Sequence, residues 1–330
     1  MRDQHYLDQA KALTHEIAGA FCISNVAVLD VDAGVLNPDQ NVRVEDGLIT
    51  SISSDKNLTC QDAVAIDGSG RTLMPGLIDM HTHLSAGDGI LNIANGVTGA
   101  RDLGNNDEQL EPLMAQFANG EVIGPQVWAA GFIDAKSPFT APIQAPAENL
   151  DDALAAIERF AAMGRRQVKI YSSIPPAWVL PMAEAIHSHG MRLSGHIPSG
   201  MSAEEAVLAG FDEIQHVNML FLNFLAGPED DTRTPLRFTL VGEKGGTLDL
   251  DSDKVTGFIE LLRSRGIEID STVMVFRNMF LQRAGEVPEG FVPVASHLPP
   301  TVQRDLESGG MNITDENAAA YVASADALLQ

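Results

Sequence analysis

The chain contains 330 residues, 45 of them acidic and 21 basic, so its formal net charge at neutral pH is −24. Hydrophobic residues make up 45% of the chain, which is typical of a globular protein and argues against a disordered one. Acidic residues repel nucleic-acid phosphates and anionic lipids, so the charge argues against binding to nucleic acids or to membrane surfaces. No apolar run reaches the roughly 18 residues that are needed to span a membrane.

The opening segment, 1–21, carries acids and histidines where a signal peptide has a basic end and an apolar core. We therefore expect a cytoplasmic protein, or a secreted or periplasmic one if the N-terminus is incomplete. Cys22 and Cys60 are too few for a disulfide scaffold or for a zinc site built from cysteines. In a cytoplasmic setting we expect both to be reduced or buried thiols and not to form a disulfide with each other.

The first predicted elements are a short helix and a layer of strands. Four apolar residues recur at helical spacing within 4–18 and predict a helix there. From Phe21 onward, the β-branched runs CISNVAVLDV, NVRVEDG and LITSIS are separated by turn residues and predict antiparallel strands. About fifty residues are too few for a self-sufficient sandwich, so we predict a partial β-sandwich in an N-terminal domain, 1–72.

Beyond this domain, the sequence alternates predicted strands with predicted helices. Strands are predicted at 77–84, 97–103, 126–133, 167–173, 192–198, 213–218 and 268–275. Helices are predicted at 151–164, 175–190 and 202–210, and a long loop or insertion at 223–253. Repeated β–α units indicate a parallel sheet, either closed into a barrel or open. A G-x-G-x-x-G turn after a first strand is absent, which argues against a nucleotide-binding open sheet.

Four predicted strands carry side chains that can bind a metal ion. His81 and His83 end the first of these strands, Lys169 lies in the fourth, and His196 and His216 end the fifth and sixth. In a barrel the carboxyl ends of the strands form one face, so these side chains would converge. His81 and His83 point the same way and can bind one ion. A packed or hydrogen-bonded histidine is the alternative at any single position, but agreement among four strands predicts a metal site.

Two further features of this pattern need separate interpretation. A lysine is ordinarily a cation and repels a divalent metal. Lys169 therefore either points away and pairs with a carboxylate, or its amine carries carbon dioxide as a carbamate whose oxygens could bridge two metals. A second H-x-H pair, His187 and His189, lies in a predicted helix, where residues two apart do not share a face. We predict that these two histidines lie at the surface.

Several motifs resemble the amidohydrolase superfamily. They are NVAVLDVDAG, VEDGLITSI, IDGSGRTLMPGLIDMHTHL, ANGVTGARDLG, VKIYSS and SGHIPSGMSAEEAVLAGFDEIQHV. The resemblance covers 25–218 and is strongest to the binuclear branch that contains Xaa-Pro dipeptidases and imidazolonepropionase-like hydrolases. It implies a small β-sandwich, followed by a (β/α)8 TIM-like barrel that holds one or two divalent ions, with Zn²⁺ expected.

The resemblance also implies a role for each candidate ligand. His81 and His83 would bind the first metal, and His196 and His216 would bind the second. Lys169 would be a carboxylated lysine that bridges the two metals.

One part of the superfamily pattern is missing: the Asp that ends the eighth strand, binds the first metal and transfers the proton. Asp315 follows Thr314, but at a predicted helix start, where an N-cap role is expected. Asp270 lies in the first half of the seventh strand instead of at its carboxyl end. We therefore predict an α/β chain whose barrel, over 73–330, lacks its eighth strand, that is, a C-terminally truncated fragment with no assigned catalytic residue.

The resemblance implies a metal-dependent hydrolase of C–N bonds in amides, dipeptides or cyclic amides, which uses a metal-activated hydroxide and has reduced activity as a fragment. Tyr171 and Arg101 are candidates for substrate binding, although a structural hydroxyl and a pair with Asp102 or another acid are the alternatives. The missing Asp supports a different class, a non-catalytic interaction or regulatory module. The expected partner is a small-molecule substrate, and a homo-oligomer is left open.

Overall fold

The computed structural model of the chain describes residues 2–15, 17–55, 59–142 and 146–330. The chain divides into two compact units, which are described separately below. The first unit comprises the residues up to Asp79 together with Leu84–Ala100 and Glu111–Gln126. The second comprises Met80–His83, Arg101–Leu110 and Val127–Gln330. The predicted domain boundary between residues 72 and 73 stays a prediction.

Strands and helices alternate along most of the chain. In the described residues the strands are β1 (Phe21–Asp30), β2 (Val35–Glu45), β3 (Leu48–Ser53), β4 (Val64–Asp67), β5 (Thr72–Leu73), β6 (Leu77–Thr82), β7 (Val97–Asp102), β8 (Gln126–Ala129), β9 (Gly131–Ile133), β10 (Gln167–Ile170), β11 (Arg192–Gly195), β12 (Glu213–Gln215) and β13 (Glu268–Asp270). The α-helices there are α1 (Arg2–Leu13), α2 (Ala86–Ala94), α3 (Asp107–Ala118), α4 (Leu150–Ala162), α5 (Pro176–Ser188), α6 (Ala203–Leu208), α7 (Val217–Leu225), α8 (Leu236–Lys244), α9 (Asp253–Arg265), α10 (Val273–Leu281), α11 (Pro300–Leu306) and α12 (Ala318–Ala327). None of these helices has the length and apolar character needed to cross a membrane.

The first unit contains a sheet with the strand order β3-β2-β1-β4, in which β5 also pairs with β1. β1 to β3 are antiparallel neighbours, as the sequence predicts, whereas β4 and β5 run parallel to β1. The second layer of the predicted sandwich stays a prediction. α1 ends at Leu13, short of the predicted residue 18. Of the four apolar positions in that prediction only Ala10 is fully buried, so little packing supports a further turn.

A disulfide joins Cys22 to Cys60, so the expectation of two reduced thiols is wrong. Cys22 lies in β1 and is fully buried, and the two Cα atoms are 5.2 Å apart, within the usual span of a disulfide. The guanidinium of Arg43, on the neighbouring strand β2, donates to the carbonyls of Thr59 and Gln61 and holds the second cysteine in place. The sequence does not reveal this pairing because the cysteines are 38 positions apart and meet only in the folded unit.

In the second unit, β9 to β13 form a parallel sheet with the order β13-β12-β11-β10-β9. This confirms the predicted α/β chain with a parallel sheet. A separate three-stranded sheet has the order β6-β7-β8, so the predicted strand at 126–133 is divided between two sheets. Closure of the strands into a barrel that lacks one strand stays a prediction.

The hydrophobic core of the second unit lies along the parallel sheet and the helices packed on it. Ile170 on β10, Leu193 on β11 and Ile214 on β12 are fully buried, together with Ile157 on α4 and Phe280 on α10. Polar side chains such as Lys169 on β10 and Ser194 on β11 alternate with these apolar ones and are buried as well, because helices cover the parallel sheet. The predicted helices at 151–164, 175–190 and 202–210 are confirmed as α4, α5 and α6.

The later part of the chain differs from prediction at three places. The segment 223–253 is not a plain loop, because it contains α8. The predicted strand at 268–275 ends at Asp270 and is followed by α10, which the β-branched run Thr-Val-Met-Val concealed. The predicted N-cap role of Asp315 is wrong: Asn317 occupies that position, and the carboxylate of Asp315 accepts a hydrogen bond from Arg283 instead.

Candidate metal centre

The five predicted metal ligands lie together in the second unit. His81 lies in β6 and His83 just after it, Lys169 lies in β10, and His196 and His216 directly follow β11 and β12. The ring centroids of His81 and His216 are 4.8 Å apart, those of His196 and His216 are 4.6 Å apart, and those of His81 and His83 are 5.5 Å apart. The amine of Lys169 is 3.5 Å from Nε2 of His81.

A glycine allows His196 to reach this cluster. Gly195 is the last residue of β11 and has φ +138°, a backbone conformation that side chains disfavour. A Cβ at this position would lie 2.0 Å from the carbonyl oxygen of Ile170. Only glycine therefore permits β11 to approach β10 so closely at the point where His196 leaves the sheet.

The turns after β12 and β13 both contain a strained residue. His216 has φ +74° and Thr272 has φ +44°, in the left-handed region that β-branched residues such as threonine rarely adopt. Nδ1 of His216 is 2.7 Å from Oγ1 of Thr272, and the backbone N–H of His216 donates to the carbonyl of Asp270. These contacts tie the two turns together and fix the orientation of the His216 ring.

Arg101 is the centre of an ion-pair network beside the histidines. Its guanidinium donates to both carboxylate oxygens of Glu213, at 2.6 and 2.9 Å, and to the carboxylate of Asp270 at 3.2 Å. A further donor, Nε, binds the carbonyl of Met80. Arg101 thus has the acid partner that the sequence left open as an alternative, although the acids are not Asp102. Its role in substrate binding stays a prediction.

Asp270 also contacts His81, with Oδ2 at 2.7 Å from Nδ1. Because β13 ends at Asp270, this residue lies at the carboxyl end of its strand, and its predicted place in the first half is wrong. A carboxylate that accepts the Nδ1 proton selects the tautomer in which Nε2 carries a lone pair. That nitrogen is the one that faces Lys169.

Burial makes several of these groups less basic. Burial, with a smaller contribution from the charge of Lys169, lowers the pKa of His216 to about 2, and burial also holds the pKa of His196 well below its usual value. Burial lowers the pKa of Lys169 to about 8, although the nearby carboxylates, Asp270 foremost, oppose the shift. His83 follows the same trend through burial, which its contact with the carbonyl of Gly104 partly offsets. At neutral pH both deeply buried imidazoles are therefore neutral and able to donate a lone pair.

Two observations indicate that the histidine cluster could hold a divalent metal: the chemistry of its side chains and one buried nitrogen without a hydrogen-bond partner in the described part of the chain. Nε2 of His196 is buried and has no hydrogen-bond partner among the described residues, a state that a bound ion would relieve. Neutral imidazoles are common ligands of zinc. Within the described ranges, however, no three His, Cys, Asp or Glu side chains already stand as a ready-made metal-binding group.

Two further side chains border the histidines, and one of them was missed by the sequence analysis. The ring of Tyr171 stacks on His196 with centroids 3.8 Å apart. Arg237, on α8, lies close enough to Tyr171 for its positive charge to oppose the rise in the pKa of Tyr171 that burial causes. The segment around Arg237 was predicted as a loop, although Leu236 and Leu240 at helical spacing signal a helix.

The predicted surface position of the second H-x-H pair is confirmed. His187 pairs with Asp212 and His189 with Glu158, both at partly exposed positions.

The chain is similar to known proteins in both sequence and structure. No family model matches the chain. An enamidase from Eubacterium barkeri is 28% identical over 220 residues, which are 59% of this chain and 55% of the enamidase. The chain thus matches about half the length of that relative. Bottromycin amidohydrolase superposes with a TM-score of 0.67 at 16% identity, over 99% of this chain and 68% of its own.

A third similar protein is a Xaa-Pro dipeptidase with bound methionine in the active site. It superposes with a TM-score of 0.53 at 15% identity, over 92% of this chain and 89% of its own. The structural neighbours are members of the amidohydrolase superfamily, and the similarity to the enamidase agrees with them. The resemblance to this superfamily that the sequence motifs indicate is therefore confirmed.

Proposed function

We propose that this chain belongs to a metal-dependent hydrolase that cleaves C–N bonds in amides, dipeptides or cyclic amides. The observation that carries the proposal is the cluster of four imidazoles around the amine of Lys169, in a fold similar to that of amidohydrolases. Divalent ions in such a cluster would polarise the substrate carbonyl and lower the pKa of bound water towards 7. The enamidase and the dipeptidase support this reaction class by their names.

Each protein group would have a separate task. His81 and His83 would hold one ion, and His196 and His216 would hold the second. The Nε2 of His196 supports a ligand role for this residue, because it is buried and none of the described protein atoms hydrogen-bonds to it. Asp270 would orient His81 through Nδ1, so that the lone pair of Nε2 points into the cluster.

Lys169 would bridge the two ions as a carbamate. Carbon dioxide adds only to a neutral amine: the new N–C bond forms, the nitrogen releases a proton, and two carboxylate-like oxygens result. With a pKa of about 8, roughly a tenth of the Lys169 amines are neutral at pH 7, far more than for an exposed lysine. The side chain is 1% exposed and lies against His81, so the added oxygens would face the imidazoles.

The proton transfer to the leaving nitrogen has no assigned residue in this chain. Asp270 is engaged by both His81 and Arg101, which suits it to orientation and not to proton transfer. Reduced activity of the chain on its own remains part of the proposal. A non-catalytic interaction module is the alternative that the missing carboxylate favours.

The test is metal content measured by mass spectrometry of the elements, with and without added bicarbonate. We expect the wild type to hold about two zinc ions and its zinc content to rise with bicarbonate. We expect Lys169→Ala to hold fewer zinc ions, with a zinc content that does not change when bicarbonate is added. Lys136→Ala is the matched control, because Lys136 is exposed and pairs only with Glu148 among the described residues. A zinc content that depends on neither bicarbonate nor Lys169 would rule out the proposed carbamate on Lys169. Two bound zinc ions without hydrolysis of any amide would favour the interaction module.

A further inference from the structure

Arg237 is a partly buried cation that lacks an acidic partner in the part of the chain that the structure describes. Its Nη1 donates to the carbonyl of Arg233 at 3.2 Å, while its Nε is buried without any hydrogen-bond partner. Other arginines near the parallel sheet have carboxylates: Arg101 pairs with Glu213, and Arg233 with Asp231. In a chain with 45 acidic and 21 basic residues, a partly buried arginine that has no acid beside it and a buried, unpartnered Nε indicates an anion from elsewhere.

The position of Arg237 indicates where that anion would bind. Asn218 donates to the backbone carbonyl of Arg237 and anchors the start of α8 beside the turn that follows His216. The guanidinium lies next to the hydroxyl of Tyr171, whose ring stacks on His196. A cationic fork and a phenol hydroxyl thus border the imidazole cluster on the same side.

We propose that Arg237 and Tyr171 bind a free carboxylate of the substrate, next to the scissile amide. The guanidinium still has N–H groups to spare once it donates to the carbonyl of Arg233 and to the hydroxyl oxygen of Tyr171, and the O–H of Tyr171 supplies another donor. The substrate class is then an N-acyl amino acid or a dipeptide, because a neutral cyclic amide would offer the guanidinium of Arg237 no counter-charge. This inference rests on the proposed function, since it places the substrate at the histidine cluster.

Isothermal titration with two matched probes tests the inference without requiring turnover. N-acetyl-L-alanine carries the carboxylate, and N-acetyl-L-alaninamide replaces it with a neutral amide of the same shape. We expect the zinc-loaded wild type to bind the carboxylate roughly tenfold or more tightly than the amide, because a charge-assisted hydrogen bond is lost with the amide. Arg237→Met should abolish the difference and Arg237→Lys should restore part of it. Arg192→Met, which removes an arginine paired with Glu268, should leave it unchanged.

The possible outcomes test the carboxylate site separately from the proposed hydrolase function. Equal affinities for the two probes in the wild type, no binding of the carboxylate, or an unchanged preference in Arg237→Met would overturn the carboxylate site. Hydrolysis of amides alongside equal affinities would leave the proposed function standing. A preference that depends on Arg237 without any hydrolysis would support the carboxylate site and count against the hydrolase.

Discussion

Among single residues, Asp270 has the most direct influence on the orientation of a predicted metal ligand. Its carboxylate contacts Nδ1 of His81 on one side and the guanidinium of Arg101 on the other. The buried carboxylate of Glu213 holds Arg101 in place, and Arg101 in turn fixes the position of Asp270. Such an arrangement supports the ligand role of His81 from outside the coordination sphere.

We predict that Asp270→Asn weakens zinc binding by about tenfold to a hundredfold, because an amide no longer holds the Nδ1 proton of His81 as a carboxylate does. Competition with a chromogenic chelator measures the affinity. Glu268→Gln is the matched control, since it removes the same charge from the same strand at a more exposed position. Equal zinc affinity in Asp270→Asn and the wild type would show that the contact with His81 has no influence on metal binding.

At the scale of elements, the close approach of β10 and β11 determines where His196 can lie. The two strands are paired in parallel register, with Ile170 opposite Gly195. The missing side chain at Gly195 lets the carbonyl of Ile170 sit where a Cβ would otherwise be. This is a packing requirement, separate from the conformational freedom that its positive φ demands.

We predict that Gly195→Ala lowers the free energy of unfolding by more than about 3 kcal/mol, because strain and a backbone clash act together. Gly190→Ala is the control: Gly190 also has a positive φ, but nothing lies within 4 Å of a Cβ there, so strain alone should cost about 1–2 kcal/mol. Urea unfolding of both variants gives the comparison. Similar losses in the two variants would mean that β11 moves to accept the methyl group.

The elements that the sequence predicted well are those whose signal is local. β10 and β11 have apolar residues in alternation, the helices that follow them have apolar residues at helical spacing, and α6 begins with a capping box at Ser202. The end of β13 was not predicted, because the residues after Asp270 favour a strand by composition and become helical only through packing of Phe276 and Phe280.

The candidate site, like the elements, was predictable from the sequence where the signal is local. The strand ends at His81, His196 and His216 follow from the alternation of elements and from the resemblance. The neighbourhood of Arg237 does not, since it depends on how α8 folds back beside Tyr171. The acid partners of Arg101 were likewise invisible, because they come from strands more than 100 positions later.

On the scale of the whole molecule, the chain consists of two compact units with different means of stabilisation. The second unit has an extended hydrophobic core. The first unit has a covalent crosslink, the Cys22–Cys60 disulfide, which begins in β1. The sheet that contains β1 exposes apolar residues such as Leu48 and Ile49. A unit whose sheet leaves such apolar residues exposed depends more strongly on a covalent bond of this kind.

We predict that opening this disulfide lowers the free energy of unfolding of the first unit by about 4 kcal/mol, from the entropy of a loop that spans 38 positions. Urea unfolding with and without dithiothreitol measures the effect. The double variant Cys22→Ala with Cys60→Ala should match the reduced wild type and should ignore the reductant. Two titratable thiols in the unreduced, denatured wild type would contradict the bond itself.

The strained turn at Thr272 has a consequence for any attempt to engineer this protein. Glycine adopts the left-handed backbone of this turn without penalty, so a selection for heat tolerance alone would favour Thr272→Gly. The same change would delete the hydroxyl that orients the ring of His216. At this position, a gain in thermal stability is therefore expected to disturb the orientation of His216. Laboratory evolution would need to select for stability and for metal binding at the same time.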